Sequence, residues 1–402
     1  MSTSAVSRSG ARSPVAGARV SRQRSAAARP VFRYDPVLLC AVLLLLMFGV
    51  VMVYSASAVY ANARLGDGLW FFKRQALGAV LGLLALLLAM KIGYRRLEAL
   101  AVPLVIVSLG LLVLVRFPGL GHSAGGAQRW MKLGPITFQP SEIAKLSLIL
   151  WLARSLARKQ ERIRLFSVGF LPHLFMLGLF AVLLMLEPDF GTTVVLGVVT
   201  FALLFVAGAR ATYLLGVVGA LLPIAAIAVW RSPYRLQRVL TFLDPWKDPQ
   251  GHGYQTVESL LGFGAGGSLG VGLGESHQKL FFLPAAHTDF ILSIVGEELG
   301  FAGVAAVLIL FGLIVWRGLK AAHAAPDGFG CYLALGITLL LSLEAIVNAG
   351  MALALLPTKG MALPFLSYGM SSVISSCLAA GLLLSISGGA GGFLRRGVGA
   401  QR

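Results

Sequence analysis

Residues 37–57 read VLLCAVLLLLMFGVVMVYSAS, an uninterrupted apolar run with no charged side chain. A hydrocarbon core of ~30 Å takes roughly 20 mostly apolar residues to span as a helix, so this run is long enough to cross a membrane. Similar runs recur at 74–92, 97–116, 140–157, 168–186, 191–208, 212–230, 289–316, 329–351 and 366–388. The expected fold is all-α, a polytopic membrane protein with about ten transmembrane helices. Composition agrees. Of 402 residues, 57% are hydrophobic and 12% charged, against about 25% charged in a soluble domain. With a mean hydropathy of +0.83, the chain has too little polar surface to coat a water-soluble body.

The formal charge of +18 does not point to nucleic acid, because of where the cations sit. Arg8, Arg12, Arg19, Arg22, Arg24, Arg29 and Arg33 crowd a Ser/Ala-rich N-terminal stretch with one acid, Asp35, and no apolar period. Such a stretch reads as a disordered basic tail held near anionic lipid heads. With the N-terminus inside, 21 of the 34 Lys and Arg fall in inner connections, as the positive-inside rule requires. Both termini are then cytoplasmic. Residues 1–36 form the tail, 37–390 the membrane domain, and 391–402 a short cytoplasmic C-terminal tail. The first span acts as a retained signal anchor. Cys40, Cys331 and Cys377 all lie in apolar runs without a CxxC, and are read as small buried hydrophobes.

The acids run the other way, mostly at the outer side: Glu142, Glu187, Asp189, Asp289, Glu297 and Glu298 among them. Carboxylates at a bilayer are expensive and tend to be paired and functional. One connection, 231–287, is too long for a simple link and is expected to be a large extracytoplasmic loop. It should carry short interfacial helices, with glycine where backbone approaches a neighbour or ligand.

Four polar stretches border the spans on that side. In the first, Arg129 and Lys132 precede Pro140-Ser141-Glu142, and Glu142 and Lys145 share a helix face. They read either as an ion pair that lowers the cost of burial or as a charged floor for an anionic headgroup. In the second, Glu187-Pro188-Asp189-Phe190-Gly191-Thr192-Thr193 reads as a capped tight turn or as a place near substrate or metal. The third is the long loop with Arg235, Arg238 and Lys279, ending in His287-Thr288-Asp289-Phe290. A carboxylate at a helix mouth under a basic loop suits proton abstraction, with Glu297 and Glu298 either supporting it or paired within the bundle. The fourth runs from Leu356-Pro357-Thr358-Lys359-Gly360 to Ser367-Tyr368-Gly369. Lys359 is a solitary outer cation, and the small residues permit close helix contact.

These motifs resemble the SEDS family (shape, elongation, division, sporulation) of membrane-embedded peptidoglycan polymerases, over roughly residues 36–390. The stretches Ser141-Glu142-Ile143-Ala144-Lys145-Leu146, Glu187-Pro188-Asp189-Phe190-Gly191, Gly272-Leu273-Gly274, Gln278-Lys279-Leu280, His287-Thr288-Asp289-Phe290 and Leu356-Pro357-Thr358-Lys359-Gly360 look like its septal, division-type branch. Ala285, Glu258 and Met370 depart from the family pattern. The resemblance implies the SEDS fold and polymerisation of lipid II into glycan strands at the septum of the bacterial inner membrane. Asp289 would then be the general base for the acceptor hydroxyl. Undecaprenyl pyrophosphate would leave, gripped among Arg129, Lys132, Lys145, Arg235, Arg238, Lys279 and Lys359, with Glu142, His287, Thr288 and Ser367 lining the substrate site. It also implies a divalent cation, Mg²⁺ or Mn²⁺, no organic cofactor, a class B penicillin-binding protein as transpeptidase partner, and contact with other divisome membrane proteins. Two rival functions are a lipid-linked precursor flippase or transporter, which needs polar groups reachable from both faces, and a recruiting scaffold, which leaves the outer charges without a purpose. The topology is testable: a reporter active only in the cytoplasm is expected to be silent when fused after Lys247 and active after Arg402. Activity at the first position overturns the outer-face reading.

Overall fold

The computed structural model describes residues 34–117, 121–124, 127–133 and 136–399, with side chains except at 122–124, 127, 128, 133, 136, 224, 225, 228, 229, 233–235, 239 and 389–399. The basic tail up to Arg33 lies outside the described residues. Asp35 starts the first helix, accepting hydrogen bonds from the Val37 and Leu38 amides ahead of Pro36. A short acceptor before a proline satisfies amide donors that the helix itself leaves free. From there α1 (Pro36–Leu65), α2 (Trp70–Ile92) and α3 (Tyr94–Leu114) run in succession. A three-stranded antiparallel sheet follows, ordered β1 (Gly121–Ala124), β2 (Ala127–Leu133), β3 (Ile136–Phe138), with Lys132 opposite Thr137. This sheet is an addition to the all-α expectation; its strands are too short to announce themselves in sequence. Then come α4 (Pro140–Arg158), α5 (Leu171–Leu186), α6 (Phe190–Val206) and α7 (Ala211–Trp230). The long connection carries α8 (Pro233–Leu243) and α9 (Tyr254–Gly266), before α10 (Ile291–His323), α11 (Gly328–Ala352) and α12 (Met370–Gly399).

Among the described residues, seven helices are long and apolar enough to cross a membrane: α1, α2, α3, residues 166–186 that include α5, α10, α11 and residues 370–388 of α12. The other three expected spans are α4, α6 and α7. α6 has 17 residues, and α4 carries Glu142, Lys145, Arg154 and Arg158. That helix is well enclosed, packed against α3, α11 and α6 with Leu148, Ile149 and Leu152 fully buried, and it tolerates its buried charges because Lys145 pairs with Glu142 and Glu344. Helix α12 continues to Gly399, into the stretch read as a tail. Large apolar side chains such as Met47 and Phe175 are about two-thirds exposed on outward helix faces (68% and 69%), as lipid contact demands. Cys40 is among the exposed residues, which corrects its reading as buried; an apolar run does not distinguish a lipid-facing side from a core.

Polar contacts sort to two ends of the bundle. At one end Arg317 donates to Asp35 at 2.6 Å, Tyr94 and Arg95 to Asp327 at 2.7 and 3.1 Å, and Arg158 to Glu98 at 3.2 Å. The sheet, α8, α9 and residues 353–369 gather at the other.

Helix α10 is broken. Gly300 adopts φ 63°, ψ −162°, a conformation reserved for glycine. The long connection repairs the break: Val271 and Gly272 donate to the Glu297 and Glu298 carbonyls at 3.0 Å, and Phe301 and Ala302 donate to Gly267 and Ser268 at 2.9 and 3.1 Å. The chain comes so close that a Cβ on Gly270 would sit 2.1 Å from the Glu298 carbonyl oxygen.

Small residues also set the α2–α12 crossing, where Gly82 faces Cys377 and a Cβ on Gly381 would fall 2.5 Å from the Leu86 carbonyl oxygen. Gly381→Ala therefore forces the pair apart and is expected to cost about 1–3 kcal/mol, read as a lowered melting temperature in detergent. Gly110→Ala, with nothing within 4 Å of the added carbon, should not lower it. Equal melting of the two variants would show that this crossing is not tightly packed.

Candidate functional site

Asp289 closes a turn in which the Thr288 and Asp289 amides both donate to the Ala285 carbonyl at 3.1 Å, one residue short of Phe290 and the start of α10. Its backbone is fastened from several elements. The Asn348 amide of α11 donates to the Asp289 carbonyl at 2.9 Å and also to that of Met361 at 2.7 Å. Ser367 donates its hydroxyl to the Thr288 carbonyl at 2.5 Å, and the Tyr368 amide donates to the His287 carbonyl at 2.9 Å. Gln75 of α2 holds the next segment, donating to the Ser367 carbonyl at 3.2 Å and accepting from the Gly369 amide at 3.3 Å.

The carboxylate itself is different. Among the described residues no hydrogen bond or ion pair takes its oxygens, and the chain at Gly360 runs directly against them. A Cβ there would lie 3.3 Å from Asp289 Oδ2. Burial pushes the Asp289 carboxyl up to about 6, against the opposing pull of the Arg129 charge. His287 sits among Phe71, Tyr60 and Tyr368, with ring centroids 4.4, 5.8 and 5.7 Å away. Burial depresses its imidazole to about 4, so it is neutral at physiological pH and fills an aromatic box.

The other polar stretches at this end converge on this turn. Arg129 of β2 donates to the Glu187 carbonyl at 2.9 Å and to that of Pro188, pinning the sheet to the turn before α6. Asp189 caps α6 through the Thr192 amide and hydroxyl at 3.2 and 2.9 Å. Glu187 is fully buried with neither carboxyl oxygen hydrogen-bonded. Burial and then the Asp189 charge push it up to about 8, opposed by Arg129 and Arg116. Lys359 stands 3.6 Å above the Phe190 ring, and its ammonium is pulled down to about 8 by burial and Arg238, with Asp189 opposing. Arg238 donates to the Thr358 carbonyl at 3.3 Å. Both border a cavity of about 280 Å³ that also takes in Thr241, His252, Tyr254 and Gln255.

Some sequence candidates are engaged elsewhere. Lys145 donates to Glu142 at 2.9 Å and to Glu344 of α11, and Ser375 of α12 donates to Glu142. All three charges are nearly inaccessible, with side chains at most 10% exposed. The cation is spent on protein carboxylates and is not presented as an anion grip. Lys279 is likewise buried against Glu298 at 2.9 Å. Lys132 is exposed on β2, and Thr288 donates its hydroxyl to Ala285. The side chain of Arg235 lies outside those described. Among the described residues no three His, Cys, Asp or Glu side chains converge into a metal-binding cluster. Asn348, Gln75 and Glu344 were missed as site residues; the signal was an isolated amide or acid inside an apolar helix.

The chain matches the FtsW/RodA/SpoVE cell cycle protein family model over residues 36–390. It is 47% identical to the probable peptidoglycan glycosyltransferase FtsW of Geobacter metallireducens over 89% of this chain and 96% of that one. It is 41% identical to the stage V sporulation protein E of Bacillus subtilis, over 88% and 96%. A solved chain from a peptidoglycan synthase complex that coordinates polymerization and crosslinking is 34% identical, with a TM-score of 0.74 over 88% of this chain and 97% of that one. The rod shape determining protein RodA of Thermus thermophilus is 30% identical, with a TM-score of 0.65 over 88% and 96%. With the match spanning nearly the whole helical bundle, the chain belongs to the FtsW/RodA/SpoVE family of cell cycle proteins.

Proposed function

We propose that this multi-pass membrane protein is a peptidoglycan glycosyltransferase that polymerises lipid II at the division septum, with Asp289 as general base. The observation that carries the role of Asp289 is its unengaged carboxylate: backbone fastened on every side, oxygens unclaimed, and affinity for a proton raised by burial. The relatives named as peptidoglycan glycosyltransferases supply the reaction class. A sugar hydroxyl is a poor nucleophile and needs a proton acceptor as it attacks, whereas a pyrophosphate leaves unprotonated once its charge is met. One carboxylate therefore suffices where a glycosidase needs two. Asp289 takes the proton of the GlcNAc 4-hydroxyl while the new bond forms at the MurNAc anomeric carbon and undecaprenyl pyrophosphate departs.

Lys359 and Lys132 would meet that phosphate charge, with Arg238 close by at the Thr358 carbonyl, whereas Lys145 and Lys279 are held by protein carboxylates. The outer end faces away from the cytoplasm, and a divalent cation belongs to this proposal only as counter-ion of the pyrophosphate. The partner is a class B penicillin-binding protein, which crosslinks the strands; the likeness to a chain of a peptidoglycan synthase complex supports it. Other divisome membrane proteins complete the assembly.

Asp289→Asn keeps the shape and removes the proton acceptor, so polymerisation of labelled lipid II by the purified protein is expected to fall by about 10²–10⁴. A carboxyl whose folded value is raised favours the fold only below its unfolded value of 3.8, and that benefit is lost as pH rises through about 6. At pH 7.5 the charge is thus a net cost, and the Asn variant should melt no lower than the parent. In the parent, activity should drop tenfold per pH unit below about 6, as the base takes up its proton. Near-normal glycan synthesis by a well-folded Asn variant removes Asp289 from the mechanism.

A further inference from the structure

Glu297 and Glu298 lie side by side in the broken part of α10, with 1% and 0% exposure. The mechanism proposed above does not use them. Each grips the long connection. Glu297 accepts from the His277 and Gln278 amides at 2.9 and 3.2 Å and from the Ser276 hydroxyl. Glu298 accepts from Lys279 at 2.9 Å and, through its two oxygens, from Ser55 of α1 at 2.6 and 2.7 Å. Lys279 also donates to the Gly274 carbonyl at 2.5 Å. Segment 274–279 is therefore tied to α10 by side chains just as segment 267–272 is tied by backbone.

Stability alone is a poor account of this arrangement. A buried ion pair gains little over well-packed apolar residues of the same volume, and an unbroken α10 would satisfy its own backbone without help. What the break and the two carboxylates achieve is geometric. They bring the end of the long connection onto α10 at a fixed register, and the next residues along that connection form the Ala285–Asp289 turn. From the other side Asn348, Ser367 and Tyr368 fasten the same turn.

We infer that Glu297, Glu298 and Lys279 are positioning residues for the reaction, a clamp that fixes the approach of the loop to Asp289 and so the placement of the base against the acceptor hydroxyl. This rests on the reading of Asp289 as base. Misplacement by about 1 Å from a remote change costs up to about 10²-fold in rate, and a group acting only on placement lowers kcat with little change in KM.

The test uses full-length protein in proteoliposomes with lipid II as substrate. The double variant Lys279→Met/Glu298→Gln removes both charges together, leaving a polar acceptor for Ser55 and no unpaired ion. It is expected to accumulate normally, to lose about tenfold to 10²-fold in kcat, to keep KM within about twofold, and to shift the acid limb of its pH–rate profile away from the parent's. Ser55→Ala, which deletes a neutral hydroxyl that donates to Glu298 and accepts from Lys279 at 3.4 Å, should fold and show the same changes in smaller measure, and it decides the matter if the double variant fails to accumulate. Parental kcat and acid limb in the well-folded double variant, or in Ser55→Ala when that is the deciding variant, overturn the clamp. Asp289→Asn run alongside separates the two ideas: its inactivity beside normal clamp variants sinks only the clamp, whereas its normal activity removes the base on which the clamp rests.

Discussion

Hydrocarbon offers no water to a backbone amide or carbonyl, so a chain that crosses it must satisfy every such group from within. Most of this chain does so with unbroken helices. At Gly300 it does not, and the groups freed there are met by Gly267, Ser268, Val271 and Gly272 of the long connection. That requirement ties an otherwise external loop into the bundle. Once tied, the loop has little freedom between its glycine-rich strip and the start of α10, and the Asp289 turn inherits a fixed place. The same logic explains the two buried amides. Gln75 and Asn348 meet carbonyls and an amide of the irregular segments around residues 361–369 and 289, where no helix could.

Charge follows a parallel division. At the end bearing Asp35 and Asp327, the pairs formed by Arg95 and Arg158 are partly exposed, and such pairs are worth about 0–1 kcal/mol. Inside the bundle Lys145 lies between Glu142 and Glu344, linking α4 to α11, while Ser375 adds α12. Removing one partner of a buried set strands the others and costs about 3–5 kcal/mol, so this set holds three helices in register. Lys132 by contrast is exposed on β2, and Lys359 stands over the Phe190 ring.

Much of this was legible in the sequence, and the exceptions have physical reasons. Length and apolarity located the spans, since a bilayer reads those properties directly. They missed how enclosed α4 is and placed Cys40 in a core, because a one-dimensional pattern does not say which face meets lipid. The short strands 121–138 left no period to detect, although Arg129 within them was singled out. Motif reading brought Glu187–Gly191, His287–Phe290 and Leu356–Gly360 to notice separately; that they meet, with Lys359 over Phe190 and Gly360 against Asp289, is a tertiary fact. Helix spacing offered the Glu142–Lys145 ion pair that the structure forms, but the resemblance also put Lys145 and Lys279 among the phosphate grips. Their carboxylate partners, Glu344 and Glu298, lie 199 and 19 residues away, beyond what helix spacing reveals.

The two unpaired carboxyls near the site show how burial sorts otherwise similar groups. Asp289 is raised to about 6 and Glu187 to about 8, in each case chiefly by burial. At neutral pH the first is ionised and ready to accept a proton, while the second retains its own. The Glu187–Asp189 turn thus brings one negative charge toward Lys359 instead of two. Had Glu187 been exposed it would ionise, adding repulsion beside Asp189. Environment alone thus pushes the values of two neighbouring acids apart, so that of these two equally unpartnered carboxyls Asp289 is the one that gives up its proton more readily.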